Sequence, residues 1–259
     1  MFKVVTWNVN SINVRLERLL ALLTREKPNV VLLQELKCLE EKFPFEAIQA
    51  AGYECSVFGQ KTYNGVAILS KRSPTKVLKG IEPFYEDSAA RVIRTLIDDT
   101  MFICCYVPNG QEVGSDKFQY KLGWLNGFKK LLKDELDNHE RLVVGGDFNI
   151  APQDIDVHNP ALWKEKILCS TKERNLLGEI SQLGLIDTFR LHEKGAGFFS
   201  WWDYRALGFQ KNEGLRIDFI LASNAMAKTC TSARIDRDER KGEKPSDHAP
   251  VIASFESPI

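Results

Sequence analysis

The sequence predicts an α/β chain built on mixed β-sheets, and three observations carry that reading. Apolar runs of strand length alternate with helix-period stripes early in the chain, and strand-like pairs follow later. Two runs, Val30-Val31-Leu32-Leu33 and Leu142-Val143-Val144, are apolar on both faces, as central buried strands must be. Acids and amides stand at or near the ends of such runs, at Asn8, Glu35, Asp147 and Asp218, where α/β sheets gather ligands.

Strands are predicted over 3–8, 30–34, 53–58, 66–70, 92–97, 102–107, 141–146, 216–221, 229–235 and 251–255. Leu16, Leu19, Leu20 and Leu23 keep the spacing of a surface helix, with Asn13 as its N-cap and Pro28 after its end. Phe118, Leu122, Leu125, Leu132 and Leu136 mark a long helix that Asp116 could cap, and Leu176, Leu177, Ile180 and Leu183 mark a third. These stripes are core. No repeat, low-complexity stretch or linker interrupts the chain, so residues 1–259 read as a single domain.

Of 259 residues 44% are apolar, enough for a sizeable core, yet no stretch approaches the length of a membrane helix. The N-terminus reads as a strand rather than a signal peptide, so a cytoplasmic protein without membrane contact is expected. Six cysteines form no C-x-x-C pair, which argues for reduced thiols and against zinc. Cys104 and Cys105, adjacent on one strand, should face opposite sides. Lys plus Arg and Asp plus Glu both number 35. A zero balance argues against a passive nucleic-acid coat but allows an enzyme with one basic face, for which Arg91, Arg94, Lys117, Lys121, Arg205, Lys211, Arg216, Lys241 and Lys244 are candidates.

Six short motifs run in order along nearly the whole chain: Trp7-Asn8-Val9-Asn10, Leu33-Gln34-Glu35, Tyr106-Val107-Pro108-Asn109, Gly146-Asp147-Phe148-Asn149, Arg216-Ile217-Asp218 and Ser246-Asp247-His248. Together they supply what phosphodiester hydrolysis needs: hard oxygen ligands for a divalent cation, a base for water, and donors for the phosphate. Glu35 ends a buried run, so it must be paired, metal-bound or at the mouth of the sheet. Asp147 follows Gly145 and Gly146, which are expected to let the backbone turn and a substrate approach. Asn149, two residues on, suits orienting a water beside it. Asp218 lies in an apolar strand and wants a partner; His248 is the natural one, since a carboxylate on one imidazole nitrogen fixes its tautomer and raises its pKa. Tyr106 ends its strand and needs a hydroxyl partner, which a phosphate or leaving oxygen would provide. The aromatic run Phe198 to Arg205, containing Trp201 and Trp202, reads either as packed core or as a wall for an extruded sugar.

Taken together these residues resemble the exonuclease III family of abasic-site endonucleases, within the endonuclease–exonuclease–phosphatase superfamily. Beyond the six motifs, Ser200-Trp201-Trp202-Asp203-Tyr204-Arg205, Leu215-Arg216-Ile217-Asp218 and Lys244-Pro245-Ser246-Asp247-His248-Ala249-Pro250 carry the likeness. The resemblance implies a four-layer α/β sandwich, two mixed β-sheets packed face to face and flanked by helices. It implies Mg²⁺ or Mn²⁺, and a monomer acting on double-stranded DNA with abasic sites or 3′ ends. By the same likeness Glu35 binds the metal with Asn8, Asn10 and Asp247 nearby; Asp147 activates the water; Asn149 and His248 hold the scissile phosphate, with Asp218 orienting His248. Tyr106 and Asn109 would contact phosphate or the leaving oxygen. Trp201, Trp202 and Leu215 would line a pocket for a flipped sugar, and Arg216, Tyr63 and Asn64 would touch the DNA backbone. Asn10 stands where some relatives have Asp, and Leu215 where some have Trp. The segment from Asp154 to Glu173 follows no motif, although it comes just after Asp147. A different phosphoesterase of the superfamily, acting on inositol phosphates, lipid head groups or RNA, would share the same acids.

Overall fold

Val4 and Val5 point to opposite faces of the first strand, both fully buried, and that parity sets up the architecture. The computed structural model describes residues 1–256. Its strands are β1 (Phe2–Asn8), β2 (Val30–Gln34), β3 (Glu54–Phe58), β4 (Val66–Ser70), β5 (Lys76–Lys79), β6 (Val92–Ile97) and β7 (Thr100–Tyr106). They continue with β8 (Arg141–Asp147), β9 (Leu185–Asp187), β10 (Trp201–Trp202), β11 (Gly214–Leu215), β12 (Asp218–Ser223), β13 (Cys230–Ile235) and β14 (Val251–Phe255). Two six-stranded mixed sheets result, in the orders β13-β14-β1-β2-β4-β3 and β5-β6-β7-β8-β12-β9, with β10 and β11 a small separate pair.

The inward faces meet in one core, where Val4, Leu32 and Ile68 of the first sheet pack on Phe102, Val143 and Ile220 of the second. The outward face of the first sheet, with Val5, Val31 and Leu33, is covered by Leu19, Leu22 and Leu23 of α1 (Ile12–Glu26) and Ile48 of α2 (Phe45–Ala50). The outward face of the second, with Val144 and Phe219, is covered by Leu125, Phe128 and Leu132 of α3 (Asp116–Asn138) and by Leu177 and Ile180 of α5 (Thr171–Gln182), which follows the short α4 (Pro160–Trp163). This is the expected four-layer sandwich. Each such side chain taken fully out of water contributes roughly 1.5–3 kcal/mol before the entropy of ordering it. Cys104 lies in the core between the sheets and Cys105 in the core under α3, as strand parity requires, and all six cysteines are free thiols.

Several boundaries differ from the sequence reading. The first helix starts at Ile12 with Ser11 in the cap position, so Asn13 lies inside its first turn. Ser115, not Asp116, caps α3, its hydroxyl accepting from the Phe118 N–H. The strand expected from Arg216 begins at Asp218, and β5, β9, β10 and β11 are too short to show a period.

Strand direction concentrates the site. The parallel pairs β1–β2 and β7–β8 both end at one edge of the sandwich, and the antiparallel β12 and β14 both begin there. Asp218 thereby stands opposite Asp147, and Val251 opposite Thr6. The glycines before Asp147 are strand residues within β8 rather than the expected turn. A Cβ on Gly146 would lie 1.9 Å from the Cys105 carbonyl oxygen, and one on Gly145 would lie 2.5 Å from Leu32 Cδ1 across the sheets. They are glycine because neighbouring chains come close.

Gly146→Ala should therefore destabilise the protein by about 3 kcal/mol, near the upper end for overpacking. Thermal unfolding checks this; an unchanged Tm would show that β7 and β8 are not held this tightly.

Candidate active site

Asp147 ends β8 nearly solvent-free, with 1% of its surface exposed. Its Oδ1 accepts from the Asn149 backbone N–H at 2.9 Å, and Oδ2 accepts from the Asn8 amide at 3.0 Å. The same Asn8 nitrogen donates to Glu35 Oε1 at 2.8 Å, so one amide spaces two carboxylates. Across the edge, Asp218 holds His248 Nδ1 at 2.9 Å, leaving His248 Nε2 3.7 Å from Asp147 Oδ2. Ser246 ties this loop to the first sheet by donating to the Asn8 carbonyl at 2.7 Å. Asn10, Glu35 and Asn149 all adopt left-handed backbone, with φ of 45°, 53° and 49°. Asparagine takes this region readily, but at Glu35 it costs roughly 1 kcal/mol or more, a strain typical of sites where geometry is fixed by function.

The charges do not cancel. Burial drives the Asp147 carboxyl up, Asp218 and Glu35 add to this while His248 opposes it, and the group sits at about 7. Burial works against the His248 imidazolium, yet Asp218 and Asp147 outweigh it and push His248 up to about 10. Burial would also raise Asp247, but the His248 charge and donors from Asn10 and Trp201 hold it below the ordinary aspartate value. Burial, then Glu35 and Asp147, keep the Tyr106 phenol well above its usual range, so it is a donor.

A divalent cation fits this donor set. Glu35 and Asp147 each bring a carboxylate oxygen to within 4.8 Å of one another and of a His248 ring nitrogen, and the two carboxylates are the ligands, since the protonated His248 offers no lone pair. Lys37 Nζ already lies 2.8 Å from Glu35 Oε2 and 2.5 Å from Asn10 Oδ1, a cation held by hard oxygens. Lys37 was not singled out from the sequence; its place two residues after Glu35 was the available signal. Asn8 turns its nitrogen toward the acids, because its oxygen accepts from the Asn10 N–H at 3.0 Å. Asp247 gives its oxygens to the Asn10 amide at 2.8 Å and the Trp201 indole at 3.0 Å. Of the four residues expected around a metal, Glu35 and Asn10 present oxygens to the Lys37 cation, and Asn8 and Asp247 brace their neighbours.

The substrate residues divide. Tyr63 is exposed, Asn109 is exposed, and Asn64 is nearly buried; all three line a cleft of about 400 Å³ beside Tyr106, with Arg91, Lys117 and Tyr120. Arg216 is not at a DNA face: it is buried, with Nε 2.7 Å from Asp156 and Nη1 2.7 Å from Asp187. Arg94 and Lys121 likewise leave the expected basic face, buried against Glu135 and Glu173. Trp202 is fully buried with its indole on Asn212 and its ring against Phe209, so it is core. Adjacent strand residues face opposite ways, and Trp201, half-buried beside Asp247, takes the cleft side. Leu215 is also fully buried, covered by Val157 and Leu168. Asn149 gives its amide to Val107 O at 3.0 Å and Asp147 Oδ2 at 3.3 Å, so it orients Asp147, and reaching a phosphate would mean giving up one of these bonds.

Residues 5–248 match the model of the Endonuclease/Exonuclease/phosphatase family. The chain is 35% identical to exodeoxyribonuclease III of Haemophilus influenzae, across 98% of this chain and 99% of that one. A Neisseria 3′-phosphatase solved with a product DNA hairpin superposes with a TM-score of 0.97 at 44% identity, covering 99% of this chain and 100% of that one. An abasic-site endonuclease from Archaeoglobus fulgidus superposes at 0.93 with 34% identity, over 99% and 100% of the two chains.

Asp218→Asn should release the imidazole. In metal-free protein, NMR of the His248 ring nitrogens should show it protonated until about pH 10 in the native chain. In the variant the ring should lose its proton at clearly lower pH than in the native chain, because Asp218 is the largest of the groups that oppose burial while Asp147 stays in place. A native ring that titrates near 6.5 would contradict the assignment.

Proposed function

The chain belongs to the Endonuclease/Exonuclease/phosphatase family, and from that premise we propose that it is a DNA-repair nuclease of the exonuclease III type. It hydrolyses the DNA backbone 5′ to abasic sites and removes nucleotides or blocking groups from 3′ ends, as a monomer, with Mg²⁺ or Mn²⁺. The observation that carries this is the Asp147 carboxylate, set between the Asn8 amide and His248 Nε2 and beside Glu35. The exodeoxyribonuclease III and 3′-phosphatase relatives support DNA over other phosphoesters.

Glu35, with Asp147 beside it, would hold the divalent cation, which when bound would supply charge that offsets the phosphate's repulsion of a nucleophile. Asp147, poised at about 7, accepts the proton of the attacking water at neutral pH. His248, kept protonated by Asp218, donates from Nε2 to a non-bridging phosphate oxygen as negative charge develops there. Tyr106 donates its hydroxyl proton toward the phosphate or the departing oxygen. Asn8, Asn149 and Ser246 hold these groups so that little rearrangement accompanies reaction.

A specific feature favours work at 3′ ends. Val157 pairs with Leu215 across an antiparallel bridge, and Leu168, Ile167 and Trp163 pack over the same apolar patch. A flipped sugar reaching Leu215 must first lift this cover, whereas a terminal 3′ group needs no such pocket.

With Mg²⁺, the protein should release phosphate from a 3′-phosphorylated duplex faster than it nicks an abasic duplex, and chelator should stop both. Asp147→Asn should lower kcat by at least 100-fold, with binding of the DNA retained. Activity that survives chelation, or hydrolysis of inositol phosphates at a higher rate than either DNA, would overturn the reading.

A further inference from the structure

Lys121, expected on a basic face, instead forms an ion pair with Glu173 in which neither side chain has any solvent exposure. Lys121 comes from α3 and Glu173 from the first turn of α5. The three ammonium protons of Lys121 have three acceptors: the Asn109 carbonyl at 3.0 Å, the Asn149 carbonyl at 2.7 Å, and Glu173 Oε1. Asn109 and Asn149 lie just beyond the adjacent strands β7 and β8, and their side chains join at 3.1 Å, Asn109 donating to Asn149 Oδ1. Asn149 in turn fixes both oxygens of Asp147. Glu173 also accepts from the Leu168 and Ser170 backbone N–H groups and the Ser170 hydroxyl, so the pair reaches the cover over Leu215 as well.

The fold itself gives little reason for this pair. Burying two charges costs several kcal/mol per ion, and well-packed apolar residues of the same volume commonly hold a protein together as well or better. What apolar residues cannot do is fix the direction of two carbonyls at once. Gly110, with φ of 89°, leaves room for the lysine stem: a Cβ there would meet Lys121 Cδ and Ile167 Cδ1 at 3.0 Å each. An arginine is too large for that space and offers a planar fork instead of three tetrahedral donors.

We propose that Lys121, anchored by Glu173, is a positioning residue of the hydrolytic reaction: it locks the Asn109 and Asn149 loops together and so fixes Asp147 against the scissile phosphate. This rests on the nuclease reading above. Lys121 touches no reacting atom, and its effect passes through Asn149.

The test is a mutant cycle on the intact chain, read on a 3′-phosphorylated duplex with Mg²⁺. Lys121→Met with Glu173→Gln removes both charges together, so no lone ion is left buried. The double variant should keep a cooperative melt while kcat falls at least tenfold and KM changes less than threefold. Asn109→Ala should lower kcat clearly in the native chain, but by less than half that factor in the double variant, because the loop is already released. A burial role alone would leave the Asn109 effect the same in both backgrounds. If the double variant fails to melt cooperatively, Lys121→Leu with Glu173→Gln, which likewise leaves no buried charge and no donor for the two carbonyls, takes its place in the same cycle. A folded variant with native kcat, or an unchanged Asn109 effect, overturns the proposal. A native chain inactive on this DNA would instead overturn the nuclease reading, so the two failures are distinct.

Discussion

An excess of negative charge in a dry place governs this molecule's working edge. Among the described residues, the cations at ion-pair distance from Glu35, Asp147, Asp218 and Asp247 are Lys37 and His248. In water such a cluster would be ordinary; with Asp147 and Asp218 buried it is costly. The site answers partly by protonation, with Asp147 raised to about 7 and His248 to about 10. A divalent cation would offset much of what remains.

That concentration follows from strand direction more than from any single contact. Two parallel strand pairs end at one edge and two antiparallel strands begin there, so residues from Asn8 to His248 converge without a long loop. Gly146 lets β8 lie close to β7, and Gly145 lets Leu32 of β2 approach across the sheets, beneath Asp147. Left-handed backbone at Glu35 is the strain this precision entails.

Much of this was legible in the sequence, and the rest fails for identifiable reasons. Long apolar runs ending in acids marked the central strands and the catalytic edge. Parity could separate Cys104 from Cys105, and should have separated Trp201 from Trp202. Arg216 was misplaced because its partners, Asp156 and Asp187, are distant in sequence and only the fold reveals them. Lys121 looked like one more surface base for the same reason: helix period gives its face, and Glu173 lies 52 positions on. The donors of Asn149 to Val107 O and Asp147 depend on a left-handed turn that the sequence does not announce. The segment after Asp147 carried no motif, since covering Leu215 takes only apolar residues of suitable size.

The most direct test of the charge argument is calorimetric titration of Mn²⁺ into the DNA-free protein at pH 7, in buffers of differing ionisation heat. One ion should bind saturably, with release of a fraction of a proton as Asp147 loses its own, and Glu35→Gln should weaken binding at least tenfold. Binding of equal strength in that variant, or none in the native chain, would contradict an acid cluster built to hold a cation.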